Sequence, residues 1–260
     1  MGTAALTERS DRVAAALKLH RTAGRRRAAR FLAEGPNLVE AASRRGLVLD
    51  VLVTESARDR FADLLDGLAV HVVTDKAAKA LSDTVTPVGL VAVCSIPEVA
   101  LPDVLGAAPR LLLVAVETSE PGNAGTLIRI ADAMGADAVV LAGDSVDPYN
   151  GKCLRASAGS IFAVPVLEAP DVEELMAALS QAGLRTLATT LDGEQSLDGM
   201  ELIAPTAWLF GSEAHGLAPA VAALADARVA IPMRGSAESL NIATAAAICL
   251  YQSALAQSGT

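Results

Sequence analysis

The stretch LLLVAVETSEPGNAGTLIRIADAMGADAVVLAG, residues 111–143, sets the fold. It opens on an unbroken apolar run, which reads as a strand over 111–117 buried on both faces. Pro121 and Gly122 make a turn, and a helix follows over about 123–134, with Leu127, Ile128 and Ile130 among its packing residues. A second apolar strand covers 138–143. Two fully apolar strands joined through a helix run parallel, so the unit belongs to a parallel sheet with helices on both faces.

The same rhythm extends outward from this unit. Downstream, strands are expected at 162–168, 185–190, 206–211 and 229–233, with helices at 150–159, 171–182 and 239–255. Upstream, a helix over 10–30 leads to a short strand and a helix over 36–45 closed by Gly46. Strands at 49–55, 69–75 and 88–96 alternate there with helices at 56–67 and 76–82. PEVALPDVLGAAPR, residues 97–110, carries three prolines and reads as a linker. The expected division is a first α/β domain over 1–97, a linker over 98–110 and a second α/β domain over 111–260.

The totals exclude several classes. A chain of 260 residues with 52% hydrophobic content and 3% aromatics has material for a large aliphatic core. No run reaches membrane-span length, and the first thirty residues are too charged for a signal peptide, so a cytoplasmic protein with no membrane partner is expected. Cys94, Cys153 and Cys249 lie far apart without a CxxC pair and read as buried thiols. His20, His71 and His215 have no ligand spacing, so no metal is expected. A net charge of −9 argues against general nucleic-acid affinity. Residues 18–30, KLHRTAGRRRAAR, run against that balance. Arg25, Arg26, Arg27 and Arg30 fit a phosphate-binding patch or a solvated helix face.

In open parallel sheets, ligands bind beyond the carboxyl ends of the strands. Three loops of the second domain carry polar residues and glycine there. After 111–117 stand Asn123 and Arg129; the first suits a helix cap or a site, the second a surface ion pair or a site. After 206–211 come Gly211, Ser212, Glu213 and Gly216, which suit an ordinary turn or close backbone approach to a ligand. After 229–233 come Glu238, Ser239 and Asn241, at the mouth of an apolar helix. There is no GxGxxG, P-loop or GxSxG elbow.

EPGNAGTLIRIADAMGA (120–136), LFGSEAHGL (209–217) and IPMRGSAESLNIATAAAICLY (231–251) resemble the three ordered motifs of the SpoU (TrmH-like) group of SPOUT RNA methyltransferases. KCLRASAGSIFAVPV (152–166) resembles the stretch between the first two. FLAEGPNLVEAA (31–42) and TVTPVGLVAV (84–93) resemble the L30e-like substrate-binding domain that often precedes that enzyme. The resemblance implies a SPOUT α/β-knot, in which a parallel sheet is tied as a trefoil. It also implies S-adenosylmethionine as cofactor, a homodimer through the second domain, and methyl transfer to a ribose 2′-hydroxyl of RNA, ribosomal rather than transfer RNA.

By the same resemblance, Ile231 and Met233 would bound the adenine, and Gly211, Leu240, Thr190, Leu191 and Leu209 would contact the cofactor. Asn123, Glu213, Ser239 and Asn241 would position the hydroxyl and its nucleotide. Arg129 would be central to catalysis, as activator of the hydroxyl or as donor to phosphate and oxyanion. The competing readings are a transfer-RNA enzyme, a non-catalytic RNA-binding module, and an α/β dehydrogenase or other small-molecule enzyme, against which the missing glycine fingerprint argues.

Overall fold

The structure is a computed structural model, and it describes residues 4–258. The chain forms two compact units. The first opens with α1 (Asp11–Leu17) and α2 (Thr22–Ala28), joined by a short 3-10 turn. Then follow β1 (Arg30–Glu34), α3 (Pro36–Arg44), β2 (Val48–Val53), α4 (Glu55–Arg60), α5 (Ala62–Leu65), β3 (Val70–Val72), α6 (Asp75–Leu81) and β4 (Leu90–Ser95). The second holds α7 (Leu101–Gly106), β5 (Leu111–Val116), α8 (Pro121–Ala133) and β6 (Ala138–Ala142). After α9 (Gly151–Ser157) it continues with β7 (Val166–Ala169), α10 (Val172–Gln181), β8 (Arg185–Thr189), β9 (Gln195–Ser196) and β10 (Thr206–Phe210), then α11 (Pro219–Ala222), β11 (Ala227–Ala230) and α12 (Ile242–Gln257).

The first unit is a four-stranded sheet in the order β1-β4-β2-β3. β4 pairs antiparallel with both neighbours, whereas β2 and β3 are parallel. Leu90 to Cys94 are all buried, as a central strand covered on both faces requires. Val13, Ala16 and Leu19 pack with Ala77, Ala78 and Leu81 on one side of it. Residues 149–162, which carry α9, group with this unit rather than with the second. Phe31 is fully buried, with its ring 4.9 Å from that of Tyr149 and 5.8 Å from that of Phe162.

The second unit is a seven-stranded sheet, β7-β6-β5-β10-β8-β11-β9, parallel throughout. β5, β6 and β10 are buried at every position, as their apolar runs predict. Leu112, Val114 and Val116 face α10 through Leu175, Met176 and Leu179. The alternate residues of β5 face the side where α8 and α12 pack. Trp208 on β10 and Ser253 on α12 are both fully buried, and Trp208 Nε1 donates to Ser253 Oγ at 2.8 Å. A buried indole N–H needs such a partner, so this bond fixes α12 on the sheet.

Two expectations are corrected. Residues 97–110 are not a linker throughout: Pro102 lies in the first turn of α7, whose Val104 is buried in the core of the second unit. The helix expected over 10–30 is broken at Arg21, which is extended (φ −99°, ψ 138°). Gly24 sits there against the Lys18 carbonyl, where an added Cβ would stand 1.9 Å from the oxygen. Arg25 is 2% exposed, and its guanidinium donates to the carbonyls of Leu19 and His20 and to Thr22 Oγ1. Arg25 therefore ties the helix break together and is lost to any RNA surface. Arg25→Ala is expected to destabilise the first unit by about 2–3 kcal/mol, because buried carbonyls lose a charged donor. Denaturant unfolding checks this.

Candidate active site

The ends of β8, β10 and β11 and the start of α12 enclose a cavity of about 640 Å³ in the second unit. It lies beyond strand carboxyl ends, where parallel sheets place ligands. Thr189 to Asp192 line it from β8, and Phe210 to Leu217 line it from β10. Val229, Ile231, Met233, Ser239 and Leu240 complete it. β11 ends at Ala230 and α12 begins only at Ile242. Ser239 and Leu240 thus lie in a loop and not in the helix expected over 239–255.

Gly211 explains how these walls meet. A Cβ there would stand 2.0 Å from the Gly216 carbonyl carbon and 2.1 Å from the Leu217 nitrogen. Only glycine lets the two backbones touch. Gly216 N donates to Ser212 O at 2.8 Å and closes the 212–216 turn, which presents Glu213 at the rim.

A chain of hydrogen bonds links three loops. Asn241 Nδ2 donates to Asn123 Oδ1 at 3.4 Å, and Asn123 Nδ2 donates to Glu213 Oε1 at 2.6 Å. Asn241 Oδ1 accepts from Ala243 N and caps α12. The cap of α8 is Glu120, whose carboxylate accepts from Gly122 N at 3.1 Å. Asn123 is therefore not a helix cap, which leaves its amide for Asn241 and Glu213.

Of the expected site residues, Thr190, Leu191, Gly211, Glu213, Ile231, Met233, Ser239 and Leu240 line the cavity. Asn123 and Asn241 join it through Glu213. Leu209 does not: it is fully buried among the core residues of β10, and its neighbour Phe210 reaches the cavity instead. Arg129 also stands off the cavity. It is exposed on α8 and, among the described residues, unpaired. Sequence reasoning missed Arg228 and Asp192, which line the cavity wall. Asp192 lies in the turn ATTLDG, residues 188–193, whereas nothing local to Arg228 signals it.

Arg228 Nε and Nη2 donate to Glu194 Oε1 at 3.0 and 2.5 Å, and Asp192 lies 3.7 Å from Nη1. The Arg228 guanidinium holds the Glu194 carboxyl below the usual carboxylate range, and Glu194 raises Arg228 in turn. This pairing is complete above the ordinary carboxylate pKa and is lost as pH falls through the lowered value. Burial pushes the thiols of Cys94 and Cys249 up to about 12, so neither supplies a thiolate at neutral pH. Among the described residues, no group of three or more His, Cys, Asp or Glu side chains converges as a metal site.

The cavity suits a cofactor of nucleoside size. Its volume is in the range of small-molecule sites. Thr190 Oγ1 is buried at its wall without a hydrogen-bond partner among the described residues, which leaves a donor or acceptor for a ligand.

A parallel sheet with a cavity at its strand ends, an apolar wall and an Asn-Asn-Glu rim defines a ligand-binding α/β domain. Residues 110–251 match the SpoU rRNA Methylase family, and residues 10–92 match the MRM3-like substrate binding domain. The chain belongs to the SpoU rRNA methylase family. It is similar to the 23S rRNA (guanosine(2553)-2′-O)-methyltransferase RlmP of Bacillus subtilis (strain 168), at 36% identity over 90% of this chain and 92% of the relative. Among solved structures it is similar to the SpoU methyltransferase AviRb from Streptomyces viridochromogenes in complex with AdoMet. There the TM-score is 0.85 at 30% identity, over 95% of this chain and 98% of that one. An AdoMet-bound rRNA methyltransferase from Sinorhizobium meliloti matches with TM-score 0.84 at 28% identity, over 96% and 97%.

Proposed function

We propose that this protein transfers a methyl group from S-adenosylmethionine to a ribose 2′-hydroxyl of ribosomal RNA. One observation carries the reading: Asn241, Asn123 and Glu213, drawn from three separate loops, form one hydrogen-bonded chain at the rim of a ligand-sized cavity. The Bacillus relative, which acts on 23S rRNA by its name, aligns over both units, and this supports ribosomal RNA as the substrate. Such a substrate is met in the cytoplasm.

When bound, the cofactor supplies an electrophilic methyl carried on sulfur. The chain's task is to bring one ribose oxygen in line with it and to stabilise the negative charge that grows on that oxygen. Ile231, Met233 and Leu240 give an apolar wall for the adenine, and Thr190 Oγ1 awaits a polar atom. Glu213, held by Asn123 Nδ2, accepts a hydrogen bond from the hydroxyl and takes up its proton as the oxygen bonds to the methyl, while Ser239 and Asn241 orient the nucleotide. A guanidinium offers N–H donors and no acceptor, so Arg129 serves as a donor to phosphate and oxyanion rather than as a base.

Arg129 stands about 9 Å along α8 from Asn123 and about 120° around it. A second copy of the chain would bring its own Arg129 to the cavity of the first. α12 exposes Tyr251 and Leu255 by 51% and 54%, one turn apart on one face beside α8, as a homodimer contact would. The insertion of β10 between β5 and β8 is compatible with a knotted thread through the second unit.

Arg26, Arg27 and Arg30 are exposed on the first unit and form its proposed phosphate contact. Reversing Arg26 and Arg27 to glutamate is expected to weaken RNA binding and to lower the salt slope of log K by about one for each phosphate lost. Filter binding over a salt series reads both numbers. The function itself is tested by nucleoside mass spectrometry of ribosomal RNA from cells with and without the protein. Loss of one 2′-O-methylated nucleotide, restored by the wild-type chain, supports the assignment; an unchanged nucleotide profile overturns it.

A further inference from the structure

Thr190, Leu191 and Asp192 form one wall of the cavity, yet they sit in a turn rather than in a strand. Leu191 is 72% exposed, so its own packing cannot hold the turn in place. The backbone fixes the turn at both ends. Thr190 N donates to Val229 O at 3.0 Å, and the two-residue strand β9 pairs with Val229 and Ala230. Between those ends the chain lies flat on β11: a Cβ on Gly193 would stand 2.5 Å from Ala230 N. On either side of Gly193 stand two carboxylates, Asp192 and Glu194, and both converge on Arg228.

We infer that Arg228 is a positioning residue: by clamping Glu194 and Asp192 it sets the turn whose Thr190 and Leu191 face the cofactor. The inference rests on the cavity being the S-adenosylmethionine site. Geometry favours a clamp over an incidental surface pair. Two nitrogens of one planar guanidinium donate to Glu194 Oε1, the third nitrogen faces Asp192, and the arginine grows from β11, which is itself fixed in the sheet. A single exposed ion pair is worth little, but here two share one cation and restrain one short turn. Arg228 also lies on the cavity wall, so a change in its pairing is felt at the ligand.

The test is calorimetric titration of S-adenosylmethionine into the wild-type chain and into Arg228→Gln, Glu194→Gln, Arg228→Lys and the double variant Arg228→Gln/Glu194→Gln. Apo-protein melting is followed in parallel. Binding by the wild type is the premise, and its absence would remove the cofactor reading rather than the clamp. Arg228→Gln and Glu194→Gln are each expected to raise Kd by about threefold to tenfold, with the rise in KM for the cofactor exceeding any fall in kcat. Arg228→Lys recovers part of the affinity. The double variant is no weaker than Arg228→Gln alone, because both changes break one device. Glu194 is 61% exposed, so its variant keeps the question open should Arg228→Gln fold poorly. A Kd within twofold of wild type for both single variants, or losses that add in the double variant, would overturn the inference.

Discussion

Replacing Arg129 by alanine lowers the rate of methyl transfer by about 10²- to 10³-fold, the usual cost of removing one donor to a developing oxyanion. Affinity for S-adenosylmethionine stays near the wild-type value, because Arg129 does not line the cavity of its own chain and is assigned to the ribose oxygen and phosphate rather than to the cofactor. The loss therefore falls on kcat, as it does for a group that acts mainly in the transition state. Arg129→Lys recovers only part of the rate, since an ammonium lacks the planar fork of the guanidinium. The position of Arg129 adds a second test. If one subunit's arginine serves the other's cavity, Arg129→Ala chains co-assembled with chains whose cavity is defective regain activity, though each is inactive alone. Single-turnover rates and mixed-subunit assays read both outcomes. Normal methylation by Arg129→Ala would remove the residue from the mechanism.

Gly211→Ala supplies that defective cavity. The added methyl would sit 2.0 Å from the Gly216 carbon and 2.3 Å from its oxygen, both backbone atoms that cannot rotate away. The 212–216 turn must move by about an ångström, and Glu213 moves with it. Displacements of that size cost on the order of 100-fold where geometry decides the rate. Methyl transfer is expected to fall by about that factor, and cofactor affinity falls with it because Gly211 lines the cavity. The fold should persist, because Trp208 and Leu209, just before it on β10, are fully buried and hold the strand independently of the turn. Calorimetry with S-adenosylmethionine, beside circular dichroism, separates the two effects. Wild-type binding by Gly211→Ala would mean that this contact does not shape the cavity.

Much of this site is legible in the chain because its signals are local. The apolar runs that became β5, β6 and β10 are buried at every position, and the polar loops after β10 and β11 do meet at one cavity. The unread parts depend on partners distant in sequence. Arg25 looks like its neighbours Arg26 and Arg27, and only the carbonyls left open by the break at Arg21 draw it inside. Asn123 and Glu120 are both able to cap α8, and the competition is settled by Glu213 and Asn241 claiming the asparagine. Leu209 and Phe210 differ by one place on a strand, so they face opposite sides, and a motif match alone does not say which reaches the ligand. Residues 149–162 read as part of the second sheet's rhythm, yet Tyr149 and Phe162 pack against Phe31. Strand and helix grammar names elements but not the unit that they join. Arg228 carries no motif at all; it is found only through the two carboxylates that it gathers.

The most direct measurement is tritium transfer. Purified protein and labelled S-adenosylmethionine are incubated separately with unmodified ribosomal RNA and transfer RNA, and the products are digested to nucleosides. The account predicts a labelled 2′-O-methylnucleoside from ribosomal RNA and none from transfer RNA. Label recovered only from transfer RNA would keep the chemistry and contradict the substrate; label on a base, or none from either RNA or from assembled ribosomal subunits, would contradict the account itself.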